Sequence, residues 1–154
     1  RDPIARLAAH PLARAMRPDK ITLAALSATL LSYLRGRAIQ EIPVWQMIAQ
    51  PAEDIEIRAR RFQVRASAAG LAVELVRGES TVGGGSLPGE TLPTHLLNLP
   101  RALSPQSLKA HSPPVIGRIR QGRVQLDLRT VLEADDDMLL ECVLRSSRLI
   151  DDHE

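Results

Sequence analysis

The segment from Lys20 to Leu34 constrains the fold more than any other stretch of this sequence. Its large aliphatic residues stand at helical spacing, with alanines between them: Ile21, Leu23, Leu26, Leu30, Leu31 and Leu34. This pattern predicts a long helix that is apolar on nearly every side. Because such a helix needs neighbours all round, we expect it to be largely buried.

Capping signals predict four more helices. Asp2-Pro3 starts a short one, since an aspartate N-cap before a proline at the first helical position is a common helix start. A long helix is expected from Pro51 to about Ala69, closed by Gly70. Ser104-Pro105 starts a weak helix, and the acidic residues 135–137 cap the last one.

The remaining pattern is that of β-strands. Residues 71–76 alternate between apolar and other side chains, and 96–99 form a short apolar run. Residues 115–119 and 123–129 flank a Gln121-Gly122 turn, which predicts a hairpin. Together with the helices, these strands predict an α+β class, with helices packed on a small, mainly antiparallel sheet.

The composition excludes several kinds of function. One Phe, one Tyr and one Trp cannot supply the aromatic platforms that stack single-stranded nucleic acid. Cys142 is the only cysteine, so neither an internal disulfide nor a Cys/His zinc site is expected, and a cytoplasmic location is predicted. No apolar run reaches the roughly 18 residues that span a bilayer, so we expect no membrane association.

The charges are unevenly distributed along the chain. Arginine supplies 18 of the 20 basic residues, and the net charge is +2. The first third is basic, whereas the end is acidic, which argues against a general nucleic-acid-binding surface. Arginine is suited to bidentate binding of phosphate and carboxylate groups, so individual arginines are the candidates for chemistry.

Arg14 and Arg17 are the first candidates. In a helical segment, residues three apart leave the same face and could hold one tetrahedral anion, although both could equally be solvated or structural. His10 beside Pro11 is a candidate for proton transfer or simply for ending a helix. Lys20 is a candidate nucleophile or a residue of a helix cap.

Two further motifs stay open on residue chemistry alone. The glycine-rich run 83–90 lacks the Lys-Ser/Thr pair of a P-loop. It could be a structural crossover between strands or a loop that approaches a cofactor or a neighbouring subunit closely. Ser86 within it lacks the context of a hydrolase nucleophile. Asp127 and Arg129 are predicted to share a sheet face, with Arg118 as an ion-pair partner across the hairpin.

Four collinear blocks resemble the C-terminal third of bacterial selenocysteine synthases, the L-seryl-tRNA(Sec) selenium transferases. They are residues 10–26 (HPLARAMRPDKITLAAL), 42–45 (IPVW), 82–93 (VGGGSLPGETLP) and 113–119 (PPVIGRI), the last continued by GR at 122–123 and LDLRTV at 126–131. The blocks are spread from residue 10 to residue 131, over most of the chain, and together they are far more specific than any single motif above.

The resemblance implies an enzyme dependent on pyridoxal 5'-phosphate (PLP), with an aspartate-aminotransferase-like fold and a homo-oligomeric ring of dimers. Such enzymes convert seryl-tRNA(Sec) to selenocysteinyl-tRNA(Sec) with selenophosphate, through a PLP-bound dehydroalanyl intermediate. The family's two selenophosphate-binding arginines fall on Arg14 and Arg17. Lys20 does not match the PLP lysine, which is expected before Arg1 together with the tRNA-contacting N-terminal part, so the chain alone is expected to be inactive.

The resemblance also implies a division of the chain. Residues 1–38 would be the end of the large PLP domain with its connecting helix, and residues 39–154 the small C-terminal α+β domain. Two alternatives remain open at this point. One is another PLP enzyme of the same fold, similar to cysteine or cystathionine lyases, and the other is a non-catalytic oligomerisation domain.

Overall fold

A computed structural model describes residues 2–83 and 89–151 of the chain. Helices combine with a four-stranded antiparallel sheet, which confirms the predicted α+β class. The chain divides into two compact units, residues 1–42 and 43–154. Each unit is described by itself below.

The first unit is helical. It contains α1 (Pro3–Ala8), a short 3-10 helix (Pro11–Ala13), α2 (Lys20–Leu34) and α3 (Ala38–Glu41). Asp2 caps α1 by accepting a hydrogen bond from the Ile4 N–H at 2.9 Å. Both α1 and α2 therefore begin where the sequence pattern predicts.

The expectation that α2 is buried is wrong for the described chain. No residue of α2 is buried, and its leucines are exposed by 44–83%. The sequence correctly indicates a helix that is apolar on every side, but the first unit supplies only short helices as neighbours. The described residues therefore leave an apolar helix surface uncovered.

The second unit contains the sheet and the hydrophobic core. Its elements are α4 (Pro43–Ala49), α5 (Ala52–Ala68), β1 (Glu74–Thr81), β2 (Thr91–Asn98), α6 (Pro105–Lys109), β3 (Arg118–Arg120), β4 (Arg123–Asp127), 3-10 helices at Leu128–Thr130 and Glu133–Asp135, and α7 (Asp136–Asp151). The α3 and α4 helices were not predicted from the sequence.

The strands lie in the order β1-β2-β4-β3, and every neighbouring pair is antiparallel. Thr81 pairs with Thr91, so the glycine-rich segment between them joins two adjacent strands. Because β1 and β2 are adjacent and antiparallel, no crossover lies between them, and residues 84–88 lie outside the described residues. The predicted hairpin of β3 and β4 is confirmed, with a turn at Gln121 and Gly122, whose φ angles are 52° and 72°.

The core lies between one face of the sheet and helices α5 and α7. The apolar face of α5 contributes Ile55, Ala59, Phe62 and Ala66, and strands β2 and β4 contribute Leu97, Val124 and Leu126. From α7 come Leu139, Leu140 and Val143. Each fully buried aliphatic side chain stabilises the fold by roughly 1.5–3 kcal/mol. Aliphatic residues make up most of the core, because the chain has only three aromatic residues.

The first strand begins later than predicted, at Glu74 instead of residue 71. Leu71 and Val73 are buried, but their backbone completes the end of α5. The Leu71 N–H donates to the Ala66 carbonyl at 2.9 Å, and the Val73 carbonyl accepts from Gln63 Nε2 at 2.8 Å. With Gly70 at φ 86°, this is a Schellman motif, so the predicted glycine cap is confirmed.

Candidate anion-binding site

The segment from His10 to Arg17 forms a short helical turn before α2. Nδ1 of His10 accepts a hydrogen bond from the Leu12 N–H at 3.2 Å, so His10 caps the 3-10 helix. Arg14 follows with helical angles, φ −70° and ψ −38°, and the Met16 N–H donates to the Leu12 carbonyl at 3.1 Å. His10 therefore begins the 3-10 helix and does not end α1, whose C-cap is Ala9.

Arg14 and Arg17 are both exposed on this turn. The Arg17 N–H lies 3.4 Å from the Arg14 carbonyl oxygen, so the two residues are one helical turn apart. Within residues 2–83 and 89–151, no carboxylate lies within ion-pair distance of either guanidinium. Their donors are therefore free of carboxylate partners here, as binding of an anion requires.

The nearest acidic residue in sequence, Asp19, is engaged elsewhere. Its carboxylate accepts from the N–H groups of Ile21 and Thr22 at 2.8 and 2.9 Å and from Thr22 Oγ1 at 3.1 Å. The hydrogen bonds from Thr22, followed by smaller ones, lower the pKa of Asp19 below its usual value. Asp19 therefore caps α2, and Lys20 beside it is exposed on the first helical turn.

A second polar cluster surrounds Asp127 at the end of β4. Its carboxylate, 8% exposed, accepts from Ser80 Oγ at 2.6 Å, Thr94 Oγ1 at 2.9 Å and Arg118 Nη2 at 3.2 Å. The predicted ion pair between Asp127 and Arg118 is confirmed. The cluster joins β1, β2, β3 and β4 on one face of the sheet, which makes it a structural network.

Arg129 does not share the sheet face of Asp127, contrary to the prediction. Strand β4 ends at Asp127, whose side chain caps the following 3-10 helix by accepting from the Arg129 N–H at 3.1 Å. The buried guanidinium of Arg129 donates to the carbonyls of Met47, Gln50 and Pro93 at 2.7–2.9 Å. Burial lowers the pKa of Arg129, and Asp127 partly offsets this effect.

Arg58 was missed in the sequence analysis. It is 4% exposed, and its guanidinium donates to Asp136 through Nε at 3.0 Å and Nη2 at 2.6 Å. It also donates to Gln50 Oε1 and to the carbonyls of Leu128 and Val131. Its position could have indicated this role. Arg58 falls on the same helical face as Ile55 and Phe62, and a charged side chain on a buried face needs a charged partner.

A histidine on β2 faces α5. Nδ1 of His95 lies 3.3 Å from the Ala52 carbonyl oxygen, and Nε2 lies 3.5 Å from Glu56 Oε2 without a hydrogen bond among the described residues. The hydrogen bond from Arg60 lowers the pKa of Glu56, desolvation opposes this, and the nearby charges of His95, Arg60 and Arg77 lower it further. His95 is buried and Glu56 is partly buried, and the pair lies outside any motif identified above.

Other candidates are less informative. Ser86 and most of the glycine-rich run lie outside the described residues, and Cys142 is buried. Among the described residues, no group of histidines, cysteines and carboxylates could hold a metal ion. None of the helices over these residues is both long and apolar enough to span a membrane.

Comparison with known proteins connects these residues to one family. The model of the L-seryl-tRNA selenium transferase (SelA) family matches residues 1–132. L-seryl-tRNA(Sec) selenium transferases from Carboxydothermus hydrogenoformans and Hyphomonas neptunium are 39% and 42% identical over 87% of the chain, and one from Escherichia coli O45:K1 is 42% identical over 92%. The chain spans only 30–33% of the length of these relatives.

Proposed function

Because the chain belongs to the L-seryl-tRNA selenium transferase family, we propose that it is part of an enzyme converting seryl-tRNA(Sec) to selenocysteinyl-tRNA(Sec). The match of the family model over residues 1–132 is the observation that carries this proposal. The names of the relatives supply the aminoacyl-tRNA substrate and the selenium transfer. Selenophosphate as the selenium donor and PLP as the cofactor come from the resemblance.

Within this enzyme, Arg14 and Arg17 bind the selenophosphate anion. Selenophosphate carries negative charge on a tetrahedral phosphorus, and guanidinium groups bind such oxyanions through two parallel hydrogen bonds. Both arginines are exposed, lie one helical turn apart and have no carboxylate partner in the part of the chain that the structure describes, which supports this role. Asp19 does not compete for them, because its carboxylate caps α2.

The lysines of the described chain do not fit the cofactor. PLP forms a Schiff base with a lysine amine, and an enclosed, partly desolvated environment favours this chemistry. Lys20 and Lys109 are both exposed, on the first turn of α2 and the last turn of α6. We therefore assign neither lysine to PLP, and the cofactor lysine belongs to another part of the complete enzyme.

The same proposal covers the organisation of the enzyme. Residues 1–38 end the large PLP domain, residues 39–154 form the small domain, and the complete enzyme is a cytoplasmic ring of dimers. The boundary at residue 38 stays a prediction. Intact-mass measurement of the native assembly would test the oligomeric state, and a monomer would contradict it.

The assignment of the anion site predicts the effect of removing each arginine. In the complete enzyme, Arg14→Ala and Arg17→Ala should each leave PLP binding unchanged and reduce selenium transfer from selenophosphate by about 100-fold or more, if each forms a charge-assisted contact worth about 3 kcal/mol. PLP absorbance and the yield of selenocysteinyl-tRNA are the measurements. Arg35→Ala, an exposed arginine of the same unit, is the matched control.

Different outcomes test the site assignment and the proposed function. Normal selenium transfer in both variants would refute the site while leaving the function standing. Turnover of free cysteine or cystathionine without tRNA would instead indicate the lyase-like alternative. A complete protein that never takes up PLP would indicate a non-catalytic domain.

A further inference from the structure

The β3–β4 hairpin gathers arginines that are distant from the anion site in the sequence. Arg120 and Arg123 are direct partners across the hairpin, so their side chains leave the same face of the sheet. Nη1 of Arg101, from the segment after β2, lies 3.7 Å from the position that a Cβ atom on Gly122 would occupy. We call Arg101, Arg120 and Arg123 the arginine cluster.

The positive charge of the arginine cluster is only partly compensated. Arg123 Nη1 pairs with Glu74 Oε2 at 2.9 Å. No carboxylate in the described part of the chain lies within ion-pair distance of Arg101 or Arg120. Like charges directly opposite each other in a hairpin destabilise it, and Glu74 offsets only the charge of Arg123. An external anion would therefore be stabilised mainly by Arg101 and Arg120.

The neighbouring Arg118 differs from the cluster in this respect. Its guanidinium is held by Asp127 at 3.2 Å and by the Glu79 carbonyl at 2.9 Å. Among the described residues, the hairpin thus carries one arginine used for structure, Arg118, and one exposed arginine without a carboxylate partner, Arg120, with the unpaired Arg101 beside its turn. This arrangement locates the excess charge at the turn end of the hairpin.

The exposure and the chemistry of the arginine cluster indicate which type of partner it binds. Arg101 and Arg120 are exposed, which suits an extended polyanion better than a small anion that must be enclosed. Arginine binds phosphate through two parallel hydrogen bonds, whereas stacking of bases needs aromatic side chains, of which the chain has three. The surface is therefore suited to a phosphate backbone without reading the base sequence.

We propose that the arginine cluster is a docking surface for the phosphate backbone of the aminoacyl-tRNA substrate. This inference rests on the proposed function, because the names of the relatives supply the tRNA. It adds a contact surface in the second unit to the anion site of the first. The sequence suggested no such surface, since its basic excess lies in the first third and its end is acidic.

The test uses the complete enzyme and seryl-tRNA(Sec). The variant Arg101→Gln/Arg120→Gln removes both charges that lack a carboxylate partner and leaves the Arg123–Glu74 pair in place. We expect its affinity for the tRNA to fall by roughly threefold to tenfold, and the slope of log K against log salt to become shallower by about 1–2. Arg145→Gln on α7, an exposed arginine paired with Glu141, is the matched control and should change neither quantity.

A second variant changes the charge in the opposite direction. Glu74→Gln releases Arg123 from its ion pair, so tRNA binding should become tighter and the salt dependence steeper. Circular dichroism of each variant checks that the fold is retained. If Arg101→Gln/Arg120→Gln is misfolded, the result with Glu74→Gln decides, and unchanged binding in this variant would overturn the proposal.

The remaining outcomes are also decisive. Unchanged affinity and salt slope in folded Arg101→Gln/Arg120→Gln, with normal selenium transfer by the unmodified enzyme, would overturn the docking surface and leave the function intact. Competition by inorganic phosphate beyond that of sodium chloride at equal ionic strength, present in the unmodified enzyme and lost in Arg101→Gln/Arg120→Gln, would indicate a small-anion site at the cluster and overturn the docking surface. If the unmodified enzyme neither binds seryl-tRNA(Sec) nor transfers selenium, both proposals fail.

Discussion

At the scale of single residues, buried arginines hold the second unit together. Arg58 and Arg129 are each 4% exposed, and both donate to backbone carbonyls from separate elements. A buried charge is tolerated only when it is paired and hydrogen-bonded, and Arg58 satisfies this through Asp136. The pair of Arg58 with Asp136 connects α5 to the start of α7, and the two residues are 78 positions apart in the sequence.

The first residue-scale prediction compares two arginines on α5. Arg58→Ala should lower the free energy of unfolding by about 3–5 kcal/mol, because it leaves Asp136, the buried Leu128 carbonyl and the partly buried Val131 carbonyl without their donor. Arg61→Ala, which removes an exposed pair with Glu133, should lower it by only about 0–1 kcal/mol. Urea denaturation followed by circular dichroism measures both, and equal losses would contradict the assigned role of Arg58.

The second residue-scale prediction concerns the dependence of folding stability on pH. Since folding lowers the pKa of Glu56, its ionised form stabilises the folded state. This contribution is present above the usual glutamate pKa and is lost as the pH falls through the lower folded-state value. Thermal unfolding measured from pH 6 to pH 3 should therefore show a smaller loss of stability in Glu56→Gln than in the unsubstituted chain. An identical pH profile for the two proteins would show that Glu56 makes no such contribution.

At the scale of elements, the approach of β3 to β4 depends on a glycine. A Cβ atom on Gly117 would lie 2.8 Å from the Gln125 carbonyl oxygen and 2.5 Å from Val124 Cγ1. Because a backbone atom of β4 is among the obstacles, rotation of a side chain cannot relieve the overlap. The hairpin that presents the arginine cluster therefore requires glycine at this position.

Two glycine substitutions test this requirement. Gly117→Ala should destabilise the chain by about 2–3 kcal/mol or more and increase hydrogen exchange in β3 and β4. Gly70→Ala, with φ 86° and no atom within 4 Å of the new Cβ, should cost only about 1–2 kcal/mol of backbone strain. Protection of β3 and β4 unchanged by Gly117→Ala would contradict the predicted overlap.

At the scale of the whole molecule, the two units differ in how they bury apolar residues. The second has an aliphatic core between the sheet and its helices, whereas no described residue of the first is buried. The exposed leucines of α2 form an apolar surface, and exposed patches of this kind bind apolar partners or dyes. The 154-residue chain should therefore bind the dye ANS through α2.

Substitution on α2 checks this expectation. Leu26→Gln/Leu30→Gln replaces two leucines that are each 53% exposed, and it should reduce ANS fluorescence strongly. Ile57→Gln on α5, where the isoleucine is 57% exposed, is the control and should have little effect. Equal fluorescence from the double variant and the unsubstituted chain would show that α2 is not the surface that binds the dye.

The sequence by itself determined what depends on neighbours along the chain. The aspartate cap of α1, the glycine cap of α5 at Gly70 and the turn at Gln121-Gly122 were all predicted correctly. These features rest on hydrogen bonds and backbone angles within a few residues, so local sequence specifies them. The α+β class followed from the same periodicities. For the candidate site, the spacing of Arg14 and Arg17 in the sequence predicted that both lie on one helical face. Their assignment to an anion site came from the family resemblance.

Only the tertiary structure decided burial and charge pairing. It left α2 exposed, began β1 at Glu74, ended β4 at Asp127 and enclosed Arg58 with Asp136. It also brought Arg101 to the turn beside Arg120 and Arg123, which no local pattern links. The physical reason is that desolvation and ion pairing depend on groups tens of residues apart, whose proximity exists only once the chain has folded.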